Sequence, residues 1–321
     1  MSLRGRISLL GAIALIAAAC SSGGASPATS AAPSVAASDA ASAPASGSAS
    51  APASEAASID PNSLLGKIIS SGKIRIATDP NYKPFSFLNP DTNTYEGFDT
   101  ATAEETVKRL NEKLGTNIEL QWETPSWDLI TAGSWGGRWD VSIGSMSVTE
   151  SRAKVVDFTD PYYYDGGGIA VPTNSTITSL DELSGGKTFC VGTSTTYEQW
   201  LNKTLEIVDP NMMEPPTDPQ VTALPTDNEC IQAVAAGRTF DAIVANKNGL
   251  EDAVASDQPI KMLLDKPIFT VSVAFALDKS GPDTAAALDV LNEIIADMHA
   301  DGTLKGFSEQ WLKDDVTTKP E

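Results

Sequence analysis

The stretch Ile143 to Arg152, IGSMSVTESR, sets hydroxyls at Ser145, Ser147 and Thr149 and places one guanidinium beyond them, at Arg152. A guanidinium presents a planar fork of N–H donors that holds a carboxylate in two parallel hydrogen bonds, which a lysine ammonium cannot do. The serine hydroxyls add donors and acceptors, and Thr149 is placed to cap a short helix containing Glu150 and Arg152. Together these side chains can capture a carboxylate. The competing reading is a surface arginine paired with a nearby acid.

Other patterns that look chemical fail on spacing. SGGKT, Ser184 to Thr188, has the end of a phosphate loop, but Asp181 stands where the first glycine is required. DTNTYEG begins like a calcium loop, yet Tyr95 occupies an acidic ligand position and no glutamate closes it. Both read as turns. Neither a nucleophile elbow nor a zinc-protease helix motif occurs. The single histidine, His299, falls on a late helix among acidic and alanine residues and reads as a solvated position. With only Cys190 and Cys230 beside it, a metal site lacks ligands, so neither metal nor cofactor is expected.

The candidate side chains need elements to hold them. GKIRIAT alternates as a short strand and runs into DPNYKPFSF, whose prolines exclude a helix. Ala103, Val107, Leu110 and Leu114 fall at helical spacing, with acids at the start and Lys113 and Gly115 at the end. A strand at IELQW, a helix around Trp127 to Ala132 and a strand at DVSIG follow, and the last delivers Ser145 and Ser147 at its carboxyl end. The rhythm restarts at GGIAVP and KTFCVGTS. It passes a helix at about Thr195 to Leu205 and another containing Cys230 to Ala236, then reaches the strand FDAIVAN. KPIFTVSVAFALD and the helical segments TAAALDVLNEIIADMHADG and TLKGFSEQWL close the chain. Such alternation predicts an α/β fold with mostly parallel sheets, whose ligands sit beyond the carboxyl ends of the strands. No short fixed repeat marks a solenoid.

At the amino end, Arg4 and Arg6 followed by the apolar run Ile7 to Ala18 form an export signal over residues 1–19, too short to span a bilayer. Small residues lead into Cys20, which is expected to carry lipid as the first residue of the mature chain. The match resembles the bacterial lipobox, except that Ala17 stands where leucine is usual; ordinary cleavage and free secretion is the alternative. Residues 20–62 are almost wholly Ala, Ser, Pro and Gly, a composition that buries too little apolar surface to order itself, and they read as a flexible tether. About 260 residues follow, enough for one large domain or two lobes. None of their apolar runs reaches the length of a membrane span. The chain carries 22 Lys and Arg against 42 Asp and Glu, a net charge of -20, which tells against nucleic acid and anionic lipid as partners. With Cys20 lipidated, Cys190 and Cys230 are left as a pair in an oxidising compartment, which predicts a disulfide.

The segments GKIRIATDPNYKPFSF, EGFDTATAEETVKRL, RWDVSIGSMSVTESRAKVVDFTDPYYY, LDELSGGKTFCVGTSTT, CIQAVAAGRTFDAIVAN and ADGTLKGFSEQWL follow one another at compatible spacings. In that order they resemble the amino-acid-binding branch of the ABC-transporter solute-binding proteins, over about Ser63 to Lys313. Carried over residue by residue, the resemblance implies that Arg152 clamps the ligand α-carboxylate, with the Ser147 and Thr196 regions supplying further donors. Gly144 and Ser145 resemble the strand-end positions that meet the α-ammonium. Tyr82 and Trp127 match positions that wall the ligand side chain. Asp79 matches an acid that can face a cationic side chain, and a loop Asp before Pro80 also reads as a turn starter. Where the family usually sets an aspartate against the α-ammonium, this chain has Asn246, whose oxygen accepts a hydrogen bond without charge assistance. Cys190 and Cys230 match a cysteine pair of some members, glutamate-type binders among them.

The resemblance further implies a two-lobed α/β fold of the periplasmic-binding-protein type (type II). Lobe 1 would comprise residues 63–165 and 266–315 and lobe 2 residues 166–265, with crossings near Tyr164 to Gly166 and near Lys266 and a flexible C-terminus at 316–321. Lobes closing on such hinges would capture a polar amino acid, basic ones included, for a membrane permease and its ATPase. The expected protein is a monomer and not an enzyme, lipid-anchored at the outer face of the cell membrane, periplasmic or cell-surface. One rival is a dehydratase of a prephenate-like acid on the same fold, against which stands the want of an evident acid or base beyond Asp79 and Glu150. The other is a ligand sensor. A receptor ectodomain would carry a following membrane span, which is not found before Glu321, whereas a tethered binder feeding a separate receptor fits the chain.

Overall fold

The structure, a computed structural model, describes residues 59–319. The expected export signal, the lipid on Cys20 and the tether as far as residue 58 lie outside the described residues. Elements are numbered in chain order.

Buried Ile74 and Ile76 make β1 (Lys73–Ala77) the inner strand of a first sheet. Its order is β5 (Glu119–Glu123), β1, β6 (Val141–Ser142), β14 (Ala276–Asp278) and β7 (Val156–Phe158). β1 runs parallel to β5 and β6, whereas β14 returns antiparallel between β6 and β7. The helical spacing of Ala103, Val107 and Leu110 gives α2 (Phe98–Leu114) one buried face, capped at its end by Gly115 in the left-handed conformation. That face shares a core with α1 (Leu64–Ser71), α7 (Ala285–Ala300) and α8 (Thr303–Leu312). A small antiparallel meander, β2 (Asn81–Tyr82), β3 (Ser86–Asn89) and β4 (Thr94–Glu96), carries Tyr82.

The second sheet is ordered β10 (Gln220–Leu224), β9 (Thr188–Gly192), β11 (Ala242–Asn246), β8 (Tyr163–Pro172) and β12 (Ile260–Met262), and β13 (Thr270–Val273) pairs with β8. β9 is parallel to β10 and β11, and the strands on β8 are antiparallel to it. Each sheet is therefore parallel in one half and antiparallel where the chain returns. Helices α4 (Thr196–Leu201), α5 (Asp227–Ala235) and α6 (Lys247–Ala255) belong to this half, and the short α3 (Trp127–Thr131) to the first. Cys190 on β9 is bonded to Cys230 on α5.

The two halves are joined by a two-stranded ribbon. β8 and β13 pair from Tyr163↔Val273 to Gly166↔Thr270, so both crossings lie side by side. The second crossing falls a few residues beyond the expected Lys266, because β13 must align with the long β8 that enters both halves. Gly167 has no room for a side chain: a Cβ there would sit 2.8 Å from the Phe269 ring. Val316, expected in a free tail, is instead held. The Tyr164 amide donates to the Val316 carbonyl at 2.9 Å, and the Val316 amide donates to Ser308 Oγ at 3.1 Å. Among the described residues, no helix is long and apolar enough to cross a membrane.

The cysteines close a loop with a sequence separation of 40, and a crosslink of that span is worth about 2–4 kcal/mol. A Cys190→Ala, Cys230→Ala double variant is expected to lose that much stability in a urea titration. Alkylation of the non-reduced, denatured protein followed by mass spectrometry is expected to label neither position.

Candidate functional site

The carboxyl ends of β1, β6 and β9 and the starts of α4 and α5 converge on one small cavity between them. The first-sheet side contributes Asp79, Tyr82, Trp127, Gly144, Ser145, Ser147 and Arg152. The second contributes Thr195, Thr196, Tyr197, Pro225, Thr226 and Asp227. All the expected ligand residues thus meet at one place except Asn246.

Arg152 is 4% exposed, so the surface-pair reading does not hold for it. Its backbone amide donates to Thr149 Oγ1 at 3.2 Å, which starts the 3-10 turn Arg152–Lys154 and fixes the direction of the side chain. Nη1 donates to the Ser147 carbonyl and Nη2 to the Ser194 carbonyl, both at 3.0 Å, while Nε has no partner. The guanidinium stands 5.2 Å from the centre of the Trp127 ring, a cation–π contact worth roughly 0.5–2 kcal/mol. No carboxylate pairs with Arg152 among the described residues. Burial brings it down to about 10, which leaves it charged at neutrality.

Ser145 sits at φ 57°, left-handed for a residue with a side chain, a strain that surrounding bonds must hold. Its amide donates to Tyr162 Oη at 3.2 Å and its hydroxyl to Asp99 Oδ2 at 2.7 Å, while the Tyr162 hydroxyl donates to Asp99 Oδ1 at 2.6 Å. Asp99 lies in the first turn of α2, where the helix dipole favours a carboxylate. Burial nevertheless pushes it up to about 6. Gly144 meets the cavity beside Ser145. Tyr82 stacks on Phe85 at 5.2 Å. Asp79 accepts the Asn81 amide at 2.8 Å, so it starts a turn and lines the cavity at once.

Asn246 is placed elsewhere. It is 1% exposed, caps α6 by accepting the Gly249 amide at 2.9 Å, and donates Nδ2 to Asp165 Oδ1 at 2.5 Å. Both ends of its amide are engaged, and it lines an adjoining recess with Tyr82 and Asp227 rather than the cavity itself. Asp165, pushed up to about 6 by burial, also accepts the Tyr197 hydroxyl at 2.7 Å.

Sequence reasoning missed Asp227, which lines the cavity 7% exposed and is pushed up to about 7, chiefly by burial. The available signal was the pattern Thr-x-x-Glu, which occurs at Thr195–Glu198 and at Thr226–Glu229. It marks helix starts, and both threonines do cap, accepting the Glu198 and Glu229 amides at 3.1 and 3.2 Å. Both helix starts face the cavity.

The cleft is bridged. Ser194, in the second half, takes donors from both Arg152 and Trp127 Nε1, the latter at 3.2 Å. Asn228 Nδ2 donates to Asn81 Oδ1 at 3.1 Å, and Lys83 lies 3.6 Å from Asp252.

Residues 74–314 match the family described as bacterial extracellular solute-binding proteins, family 3. The L-cystine-binding protein TcyJ of Escherichia coli (strain K12) is 29% identical over 262 residues, which cover 81% of this chain and 90% of that protein. The histidine-binding periplasmic protein of the same strain is 28% identical over 254 residues, covering 76% and 88%. Among solved structures, the ancestral amino acid-binding protein AncCDT-1, a precursor of cyclohexadienyl dehydratase, is similar with a TM-score of 0.65 and 27% identity, over 78% of this chain and 100% of that one.

With Asp99 and Asp165 at about 6 and Asp227 at about 7, the folded chain holds protons that unfolded carboxyls, near 3.8, release. Their contribution to stability is complete below about pH 4 and is lost as pH rises through 6 to 7. Ligand-free protein is expected to melt at a higher temperature at about pH 5 than at about pH 8, and Asp227→Asn to flatten the upper part of that slope. A melting series against pH checks both.

Proposed function

The chain belongs to the bacterial extracellular solute-binding proteins, family 3, and from that premise we propose that it captures a polar amino acid and presents it to the permease and ATPase of an ABC importer. One observation carries the reading. A buried guanidinium with a free Nε and no acid partner among the described residues lines the cavity where the two sheets' strand ends meet. A ligand α-carboxylate would complete it with charge-assisted bonds. Ser147 and Thr196 would add donors, and Trp127 and Tyr82 would wall the side chain.

The relatives are named for binding L-cystine and histidine, which supports an α-amino acid with a polar side chain. Asp79 keeps acceptor capacity beyond its bond to Asn81, so basic side chains are included. The β8–β13 ribbon would serve as the hinge on which lobe 1 and lobe 2 close. The protein would act as a monomer, held through Cys20 at the outer face of the cell membrane.

In this reading the chain binds without turnover. One observation favours the rival dehydratase: Asp227 is a buried acid that keeps a proton near neutrality and could protonate a leaving group. Release of product from prephenate in a direct assay would move the chain to the enzymes.

A melting screen against the twenty amino acids and L-cystine tests the proposal, because a ligand that binds only the folded state raises its melting temperature. A small subset is expected to do so. Arg152→Ala is expected to weaken binding of that subset about 100-fold or more. Calorimetry that finds Arg152→Ala as tight as the wild type would overturn the reading.

A further inference from the structure

We infer that Asp227 is the acid that receives the ammonium of the bound amino acid, an inference that rests on the reading of the cavity given above. A zwitterion needs two poles, and Arg152 supplies only one. The carboxylates lining the cavity are Asp79 and Asp227. Asp99 and Asp165 are buried behind it, each with both oxygens engaged: Asp99 by Tyr162 and Ser145, Asp165 by Tyr197 and Asn246. Asn246 is neutral, and its amide is spent on Asp165 and on the cap of α6.

Asp227 differs from these. It opens on the cavity while 93% buried, taken from its 7% exposure. The Gly192 amide donates to Oδ1 at 2.9 Å, and a carboxylate accepts about four hydrogen bonds, so capacity for a ligand donor remains. The strand end is shaped around this carboxylate. A Cβ on Gly192 would stand 2.5 Å from Asp227 Oδ1 and 2.9 Å from Thr195 Cγ2, so only glycine lets the three groups meet.

Position separates the two candidate acids. The ammonium and the carboxylate of an amino acid share one carbon, so their partners must be neighbours. Arg152 reaches across the cleft to the Ser194 carbonyl, one residue from Thr195, and Thr195 and Asp227 flank Gly192 together. Asp79 comes from the first-sheet side, in the turn before Asn81, and not from the Gly192 to Thr195 turn that Arg152 and Asp227 both contact. Burial pushes the Asp227 carboxyl up to about 7, and an ammonium set beside it would favour its charged form.

The test uses the twenty amino acids and L-cystine as individual calorimetric probes on the wild type, Asp227→Asn, Asp227→Glu and Asp79→Asn. Asparagine keeps an oxygen for the Gly192 amide, so Asp227→Asn is expected to fold, and to bind the wild type's ligands about 100-fold more weakly. Asp227→Glu, which restores the charge, is expected to recover most of that loss. Asp79→Asn is expected to change the ranking of cationic against neutral side chains rather than to abolish binding. Asp227→Asn within about threefold of the wild type, or loss of every ligand in Asp79→Asn with Asp227→Asn intact, overturns the inference while leaving the amino-acid reading in place. Should Asp227→Asn fail to fold, a folded Asp227→Glu that binds nothing overturns it equally. A wild type that answers no probe overturns the amino-acid reading itself, and the inference with it.

Discussion

Arg152 carries a charge that the fold has taken out of water without supplying an acid. Removing an ion from water costs several kcal/mol even after relaxation, and two carbonyls and an indole face offset only part of that cost. The surrounding architecture follows from this constraint. A strand must end where Ser147 can turn its carbonyl back, a threonine must start the turn that aims the side chain, and the other half must bring Ser194 across. The guanidinium therefore does more than wait for a ligand. It is one of the polar links that hold the halves against each other, and whatever completes its fork tightens that link.

The buried acids are the counterpart of this charge. Asp99 and Asp165 position rather than bind: one fixes Ser145 and Tyr162, the other Tyr197 and Asn246. Each is satisfied by hydroxyl or amide donors, so it persists in a poorly solvated place without an ion partner. Their field lies behind the cavity wall, where it favours a positive charge in front. A site made this way has an anion pole of one arginine and a broad cationophilic back.

Much of the site was legible because Ile143 to Arg152 is contiguous and its geometry local. The Thr149 cap, the strand end and the arginine are set within ten residues, and helical spacing marked α2 for the same reason. Other features depend on distant partners. Asn246 stands on the last residue of β11, opposite Gly167, and nothing in FDAIVAN reveals that its amide turns to Asp165. Asp227 reads locally as an acid suited to the first turn of a helix. That it faces a cavity follows from the approach of α5 to Gly192 on β9. The meander β2–β4 escaped notice because strands of two to four residues are too short to show alternation. α6 was hidden by its polar run with an internal Gly249.

The order of strands in the first sheet has a temporal consequence. β14 lies between β6 and β7, yet it is made only after every strand of the second sheet. As the chain is synthesised, β6 and β7 are therefore left with open edges while β8 to β13 emerge and pair among themselves. Contacts of such wide sequence separation form slowly, and unpaired edges are adhesive while they last. The half of the molecule that begins first is thus completed last, by a strand made more than a hundred residues after the turn that carries Arg152.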